Sequence, residues 1–294
     1  MLSYQNCTLC PRKCGVNRSA GKLGFCAMPA GLRAAKAMLH YGEEPPISGC
    51  FGTGAVFFSG CTLRCSFCQN AEISVGGKGI SLDSARLREI FERLIEDGAQ
   101  SIDLVTPTHF LPDILPALTP KLPVPVVYNC GGYESVETLR LLDGLVDIYL
   151  PDFKYADNAL AAKLSYAPDY FEVACAALKE MYRQVGSVVI KDDVMQKGLL
   201  VRHLVLPGHL DNTLRVIEWV AQSFPKNDVL FSLMSQYVPM GKAAPPLDRR
   251  LTEEEYAGAV SWMELCGLTN GFTQDFSAAT AEYLPEFDLG GLEI

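Results

Sequence analysis

From residue 55 onward, short apolar runs alternate with segments in which apolar side chains recur every three or four positions. The runs at 55–59, 102–106, 124–129, 147–150, 200–206 and 229–234 have the length of buried strands and are bounded by polar or turn-forming residues. Between them, Leu87, Ile90, Phe91, Leu94 and Ile95 fall on one helical face, and Phe171, Ala174, Leu178, Met181 and Val185 on another. Leu214, Ile217 and Ala221 form a third stripe, and Tyr256, Val260 and Met263 a fourth. Pro168 suits the first turn of the second helix, and Asp211 or Asn212 a cap on the third. Strand and helix alternating about six times predict a parallel sheet covered by helices. Six units are too few to close an eight-fold barrel, so an open or partial barrel is expected. In such folds chemistry gathers in the loops that leave the C-terminal ends of the strands.

Residues 1 to about 30 break this pattern. They are rich in Cys, Gly, Arg and Lys with little apolar periodicity, as expected of a small module organised by metal. The segment 39–49, LHYGEEPPISG, reads as a linker, or as a strand and loop approaching the active-site mouth. The expected division is a Cys-rich metal-binding module at 1–32, a linker or extension at 33–50 and a core domain at 51–294. With 294 residues, 49% of them hydrophobic, the chain can bury a substantial core. A net charge of −9 without a basic block disfavours nucleic acid as a partner. No apolar run reaches the ~18 residues of a spanning helix, and the N-terminus lacks a signal-peptide core. A cytoplasmic protein without membrane contact is expected.

Seven of the eleven cysteines fall into two clusters of short spacing, which points to metal ligation rather than disulfides. Cys61, Cys65 and Cys68 follow the run 55–59 directly, with the aromatic Phe67 just before the last of them. Three thiolates coordinate three irons of a four-iron cube and leave one iron open. A zinc site would need a fourth ligand from elsewhere, such as Cys50 or a histidine. Cys7, Cys10, Cys14 and Cys26 complete four thiolates, which suit a tetrahedral zinc or a second 4Fe–4S cluster alike. Cys50, Cys175 and Cys266 are expected to pack as small apolar residues, and His40, His203 and His209 receive no catalytic role.

In CTLRCSFCQN (61–70), LVTPTHFLP (104–112), NCGGYE (129–134), PDFKY (151–155) and RHLVLPGH (202–209), the chain resembles the radical S-adenosylmethionine (SAM) superfamily. Within it, the resemblance is to uncharacterised relatives of the pyruvate formate-lyase activating enzymes bearing a Cys-rich N-terminus. It implies an α/β fold, a partial (β/α)6 radical SAM barrel with the small N-terminal module appended. It further implies a 4Fe–4S cluster on Cys61, Cys65 and Cys68, whose open iron is chelated by SAM. Reductive cleavage of SAM then gives methionine and a 5′-deoxyadenosyl radical that abstracts hydrogen from a substrate.

The Gly-Gly-Glu loop common in that superfamily is missing here, so Thr106, Thr108 and His109 are expected to contact SAM in its place. Asn129 and Glu134 are assigned to the ribose, and Asp152 and Lys154 to SAM or a substrate carboxylate. Arg202 is assigned to the SAM carboxylate or ribose, and Phe67 joins the cofactor-binding set. The resemblance implies an anaerobic oxidoreductase fed by a low-potential flavodoxin or ferredoxin. Three functions remain open: activation of a glycyl radical enzyme, radical modification of a small molecule or peptide, and non-catalytic redox sensing by an iron–sulfur or zinc protein.

Overall fold

The computed structural model describes residues 3–240, 243–276 and 285–293. Strand β1 (Leu32–His40) enters the sheet antiparallel to β2 (Thr53–Phe58), with the one-turn helix α1 (Pro45–Ser48) in their connection. After β2 come α2 (Ala71–Ser74), β3 (Ile80–Leu82), α3 (Ser84–Glu96), β4 (Ile102–Val105) and α4 (Leu111–Ala117). Next follow β5 (Val126–Cys130), α5 (Val136–Leu139), β6 (Ile148–Pro151), α6 (Asn158–Ser165) and α7 (Tyr170–Val185). The chain continues with β7 (Val189–Lys191), β8 (Val194–Leu204), α8 (Leu210–Ser223), β9 (Leu230–Met234), α9 (Glu253–Leu265) and β10 (Gly271–Thr273). Among the described residues no helix is long and apolar enough to cross a membrane.

The sheet order is β10-β9-β8-β6-β5-β4-β2-β1-β3, with β7 hairpinned onto β8. All six expected strands form, and they lie side by side in parallel as β2, β4, β5, β6, β8 and β9. From β4 onward each is fed by a helical crossover, giving the partial (β/α)6 barrel, which β10 extends as a seventh parallel strand. The segment 33–50 corrects the linker reading: most of it is β1 and the loop bearing α1. Its alanine-rich sequence has weak strand preference, and a register shift between Ala34 and Lys36 breaks the alternation that marks a strand.

Inside the barrel, Val127, Ile148, Leu150, Leu200 and Leu230 pack around Ile47 of α1 and Met195 as an apolar floor. Two positions further along β5, β6, β8 and β9 the same inward face carries Asn129, Asp152, Arg202 and Ser232, because side chains repeat every second residue. Helices cover the outer face, where Leu104, Tyr128, Tyr149, Val201 and Phe231 meet the α3 and α7 stripes in one core. Smaller departures concern helix starts and faces. The cap position of α8 is His209, while Asn212 lies inside the helix and accepts from the Ala156 amide (2.8 Å). That helix buries Thr213, Val216, Ile217 and Val220 rather than Leu214 and Ala221. Pro168 precedes the cap of α7. Cys50 is exposed, contrary to the apolar packing expected, while Cys175 and Cys266 are half-buried against the core.

Candidate active site

Strand β2 ends at Phe58, and Cys61, Cys65 and Cys68 follow in the loop at its C-terminal end. The three thiols line one cavity of about 250 Å³, along with Phe67, Thr106, Asn129, Asp152, Lys154 and Arg202. Each sulfur already receives a hydrogen bond. The Leu63 amide donates to Cys61 (3.4 Å), Ser165 Oγ to Cys65 (2.9 Å) and Ser74 Oγ to Cys68 (3.3 Å). Burial raises all three thiol pKa values, and a neighbouring cysteine of the set raises each further. All three are free of disulfides. Convergent thiols that carry hydrogen-bond donors and lose their protons on metal binding fit a cluster with one open iron. Among the described residues, no group of three or more His, Cys, Asp and Glu side chains is gathered as ligands for a single ion.

Behind the cysteines lies a layer of buried charge. Arg202 donates from Nε to Asp152 Oδ1 (2.8 Å), from Nη2 to Asn129 Oδ1 (2.7 Å) and from Nη1 to Glu43 Oε1 (2.6 Å). Asn129 Nδ2 in turn donates to Glu43 Oε2 (3.0 Å) and Asp103 Oδ2 (3.2 Å). Lys154 Nζ pairs with Asp152 Oδ2 at 2.6 Å, as the two-residue spacing on an extended segment predicts. Burial opposes the Asp152 charge, yet Arg202 and Lys154 hold its carboxyl below the ordinary value. Burial likewise opposes the Lys154 charge, and Asp152 with the Cys65 sulfur outweighs it. Burial shifts two further carboxyls toward the neutral form: it lifts Glu44 to about 7, and burial with the Glu43 charge lifts Asp103 well above its usual range. Arg202 and Lys154 each sit within ion-pair distance of a carboxyl, Arg202 of both Asp152 and Glu43 and Lys154 of Asp152, the pairing that a buried layer of charge requires. Glu43, Glu44 and Asp103 escaped the sequence reading as site residues; the two glutamates in a Pro- and Gly-rich stretch were the available signal.

Three expected cofactor contacts turn away from the cavity. Thr106, with φ at +62°, lines it, but the 3-10 turn Thr108–Phe110 sends the next side chains into the barrel wall. Thr108 Oγ1 donates to Glu134 Oε1 (3.0 Å), and Tyr128 OH lies 3.4 Å from Glu134 Oε2. Burial pushes Glu134 up to about 8, so a neutral carboxyl closes this wall network rather than reaching a ribose. His109 Nε2 lies 2.7 Å from the Ser59 carbonyl, and burial drives its pKa down to about 3. Gly132 serves the fold as well, since a Cβ there would meet Asp152 O at 2.6 Å. His203 bridges Phe153 O (2.6 Å) and Thr213 Oγ1 (2.9 Å) inside the wall, in keeping with a local role.

The Cys-rich module docks on the same end of the barrel, because β1 pairs its first residues with the last residues of β2. Arg18, 1% exposed, is the peg. It donates to the carbonyls of Met28 (3.1 Å), Pro29 (2.8 Å) and His109 (2.7 Å), with Nη1 3.8 Å from Cys7 Sγ. Carbonyls and a sulfur surround this buried cation. A Cβ on Gly24 would sit 3.2 Å from Cys26 Sγ and 3.7 Å from Cys14 Sγ, so the glycine keeps open a space that both sulfurs border.

Over 274 residues the chain is 31% identical to the uncharacterized protein MJ0674 of Methanocaldococcus jannaschii, covering 89% of this chain and 75% of the relative. The chain belongs to the family of that archaeal protein. No family model matches it. Among solved structures it is similar to Streptococcus suis SuiB bound to the precursor peptide SuiA, with a TM-score of 0.51 at 15% identity. That likeness covers 74% of this chain and 48% of SuiB, so the shared part is about half of the larger protein. Methylornithine synthase (PylB) matches with a TM-score of 0.48 at 15% identity, over 72% of this chain and 68% of that one. What the chain shares with SuiB is the fold, the partial barrel.

Proposed function

We propose that the chain is a radical SAM enzyme whose 4Fe–4S cluster is held by Cys61, Cys65 and Cys68. The observation that carries this reading is their convergence, with Lys154, Asp152 and Arg202, on one cavity at the C-terminal ends of the parallel strands. Bound there, the cluster and SAM supply a carbon-centred radical that abstracts hydrogen from a substrate. Lys154 is the cavity cation most able to meet a ligand carboxylate, since an ammonium has three donors and Asp152 takes one. Arg202 and Asn129 are committed to Glu43, Asp103 and Asp152; their part is to hold Asp152, and through it Lys154, in place. Phe57, Phe58, Leu63 and Phe67 line the other side and keep the site dry.

A glycine of a partner protein is the first target class, supported by the PDFKY and LPGH segments of the sequence. A peptide is the second, supported by the peptide complex of SuiB on the same fold. A low-potential flavodoxin or ferredoxin is the electron donor in either case. Cys7, Cys10, Cys14 and Cys26 hold a second metal–thiolate centre, whose negative charge answers the buried Arg18 guanidinium. The test is anaerobic reconstitution with iron and sulfide, reduction, and measurement of 5′-deoxyadenosine released from SAM. Wild type should release it and Cys65→Ala should not; a reconstituted wild type that releases none overturns the proposal. Metal analysis of a variant lacking the four N-terminal cysteines identifies the second centre as iron–sulfur or zinc.

A further inference from the structure

Between Cys10 and Cys14 the N-terminal module presents Arg12, whose guanidinium lies over the rings of Phe25 (4.0 Å) and Tyr133 (5.0 Å). Its donors grip two separate pieces of the barrel. Nε donates to the carbonyl of Thr62, inside the cysteine loop, at 2.9 Å. Nη2 donates to Ser165 O at 2.9 Å, and Nη1 to Tyr166 O. Ser165 and Tyr166 end α6, where helix carbonyls lack intrahelical partners and a cation is favoured.

That helix end is what touches the cysteine loop from the other side. Ser165 Oγ donates to Cys65 Sγ at 2.9 Å, and the Ser66 amide donates to Leu164 O at 2.8 Å. Arg12 itself is not among the residues lining the cavity. It bridges the carbonyl that follows Cys61 and the residue that hydrogen-bonds Cys65. A lysine keeps the charge but cannot reproduce this planar fork.

We propose that Arg12 is a positioning residue for the Cys65 ligand, and that the N-terminal module thereby clamps the cluster loop. The inference rests on reading Cys61, Cys65 and Cys68 as cluster ligands. Hydrogen bonds to ligand sulfur tune a cluster's potential and orient the ligand, so a lever on Ser165 is a lever on the cluster.

The test begins with reduced, iron-free protein supplied with zinc for the N-terminal cysteines, so that the module carrying Arg12 stays ordered while no cluster sits on Cys61, Cys65 and Cys68. Alkylation of each cysteine by iodoacetamide is followed by mass spectrometry in wild type, Arg12→Lys and Arg12→Ala. Cys65 should react about tenfold faster in both variants, the scale of one lost charge-assisted hydrogen bond, while Cys175 and Cys266 keep their wild-type rates. An unchanged Cys65 rate overturns the proposal. So does a rise shared equally by Cys175 and Cys266, because Arg12 would then support the fold at large.

In the reconstituted protein, Arg12→Lys and Ser165→Ala should both move the cluster potential to more negative values, since each weakens a bond that favours the reduced cluster. A potential that moves in Ser165→Ala alone also overturns the role of Arg12. If wild type takes up no cluster, the enzyme reading fails, while the alkylation rates still decide whether the clamp exists.

Discussion

Arg202 on β8 and Glu43, separated by 159 residues in sequence, meet at 2.6 Å inside the barrel. Glu43 arrives there because β1 carries the chain to the N-terminal end of the sheet and the following loop turns inward with Ile47. Both side chains are largely buried, so the pair is weighed by what its removal leaves behind. Glu43→Ala strands Nη1 of Arg202 and one hydrogen of the Asn129 amide. A loss of about 2–4 kcal/mol is expected, because Asp152 still neutralises part of the arginine charge. Urea unfolding at neutral pH measures it; a loss below about 1 kcal/mol would mean that water replaces the carboxylate without cost.

Glu134 makes stability depend on pH in a direction opposite to that of a salt-bridged acid. Its folded pKa stands at about 8 against an ordinary 4.5, chiefly because burial disfavours the charge. The folded state thus holds the proton more tightly than the unfolded chain. The contribution of this group is fully present below the unfolded value and is lost as pH rises through about 8. Glu134→Gln, which stays neutral, should flatten the decline in unfolding free energy between pH 5 and pH 9 and overtake wild type at the alkaline end. Denaturant titrations across that range check it; parallel curves for the two proteins refute the assignment.

How far the sequence revealed the molecule depended on which residues build each part. Apolar runs marked the six parallel strands, since strands buried on both faces carry little else. The mouth was legible where chemistry follows a strand end directly: Cys61, Cys65, Cys68, Asp152, Lys154 and Arg202 all reach one cavity. Thr108, His109 and Glu134 stand in similar positions in the sequence. A 3-10 turn and a buried hydrogen-bond network turn them into the wall, and no linear pattern announces that. Glu43 and Arg18 act across long sequence separations, from segments whose composition resembles a linker and a metal knuckle. Their partners are set by the topology of β1, a strand whose alanines hide it.

Arg18 should matter more to the N-terminal module than any of its surface charges. Four neighbours, the carbonyls of Met28, Pro29 and His109 and the Cys7 sulfur, take its donors in a site closed to water. Arg18→Met fills part of the volume but leaves the Pro29 and His109 carbonyls unpaired, the Met28 carbonyl keeping the Gly24 amide, at a cost of about 3 kcal/mol. The damage should be local. Amide exchange of residues 3–30 should accelerate while β5, β6 and β8 keep their protection, as mass spectrometry of peptic fragments resolves. Acceleration throughout the barrel would show that the module and core unfold as one unit.

Gly132 offers the sharpest steric test of how the mouth is held. Its φ of +76° is one that side chains rarely adopt, and a Cβ there would lie 2.6 Å from Asp152 O and 2.8 Å from Tyr170 OH. Neither neighbour can retreat easily. Asp152 is fixed by Arg202 and Lys154, and the Tyr170 hydroxyl meets the carbonyls of Gly131 and Asp152, each at 2.8 Å. Gly132→Ala should therefore cost about 2–4 kcal/mol, combining backbone strain of about 1–2 kcal/mol with displacement of packed atoms. The displaced atom belongs to Asp152, so Lys154 should shift with it and SAM affinity should fall. Calorimetric titration of reconstituted Gly132→Ala with SAM, beside Gly144→Ala as a control, separates the two effects. Gly144 has a φ of +81° but open space around its Cβ, so its replacement should cost strain alone and leave SAM binding unchanged.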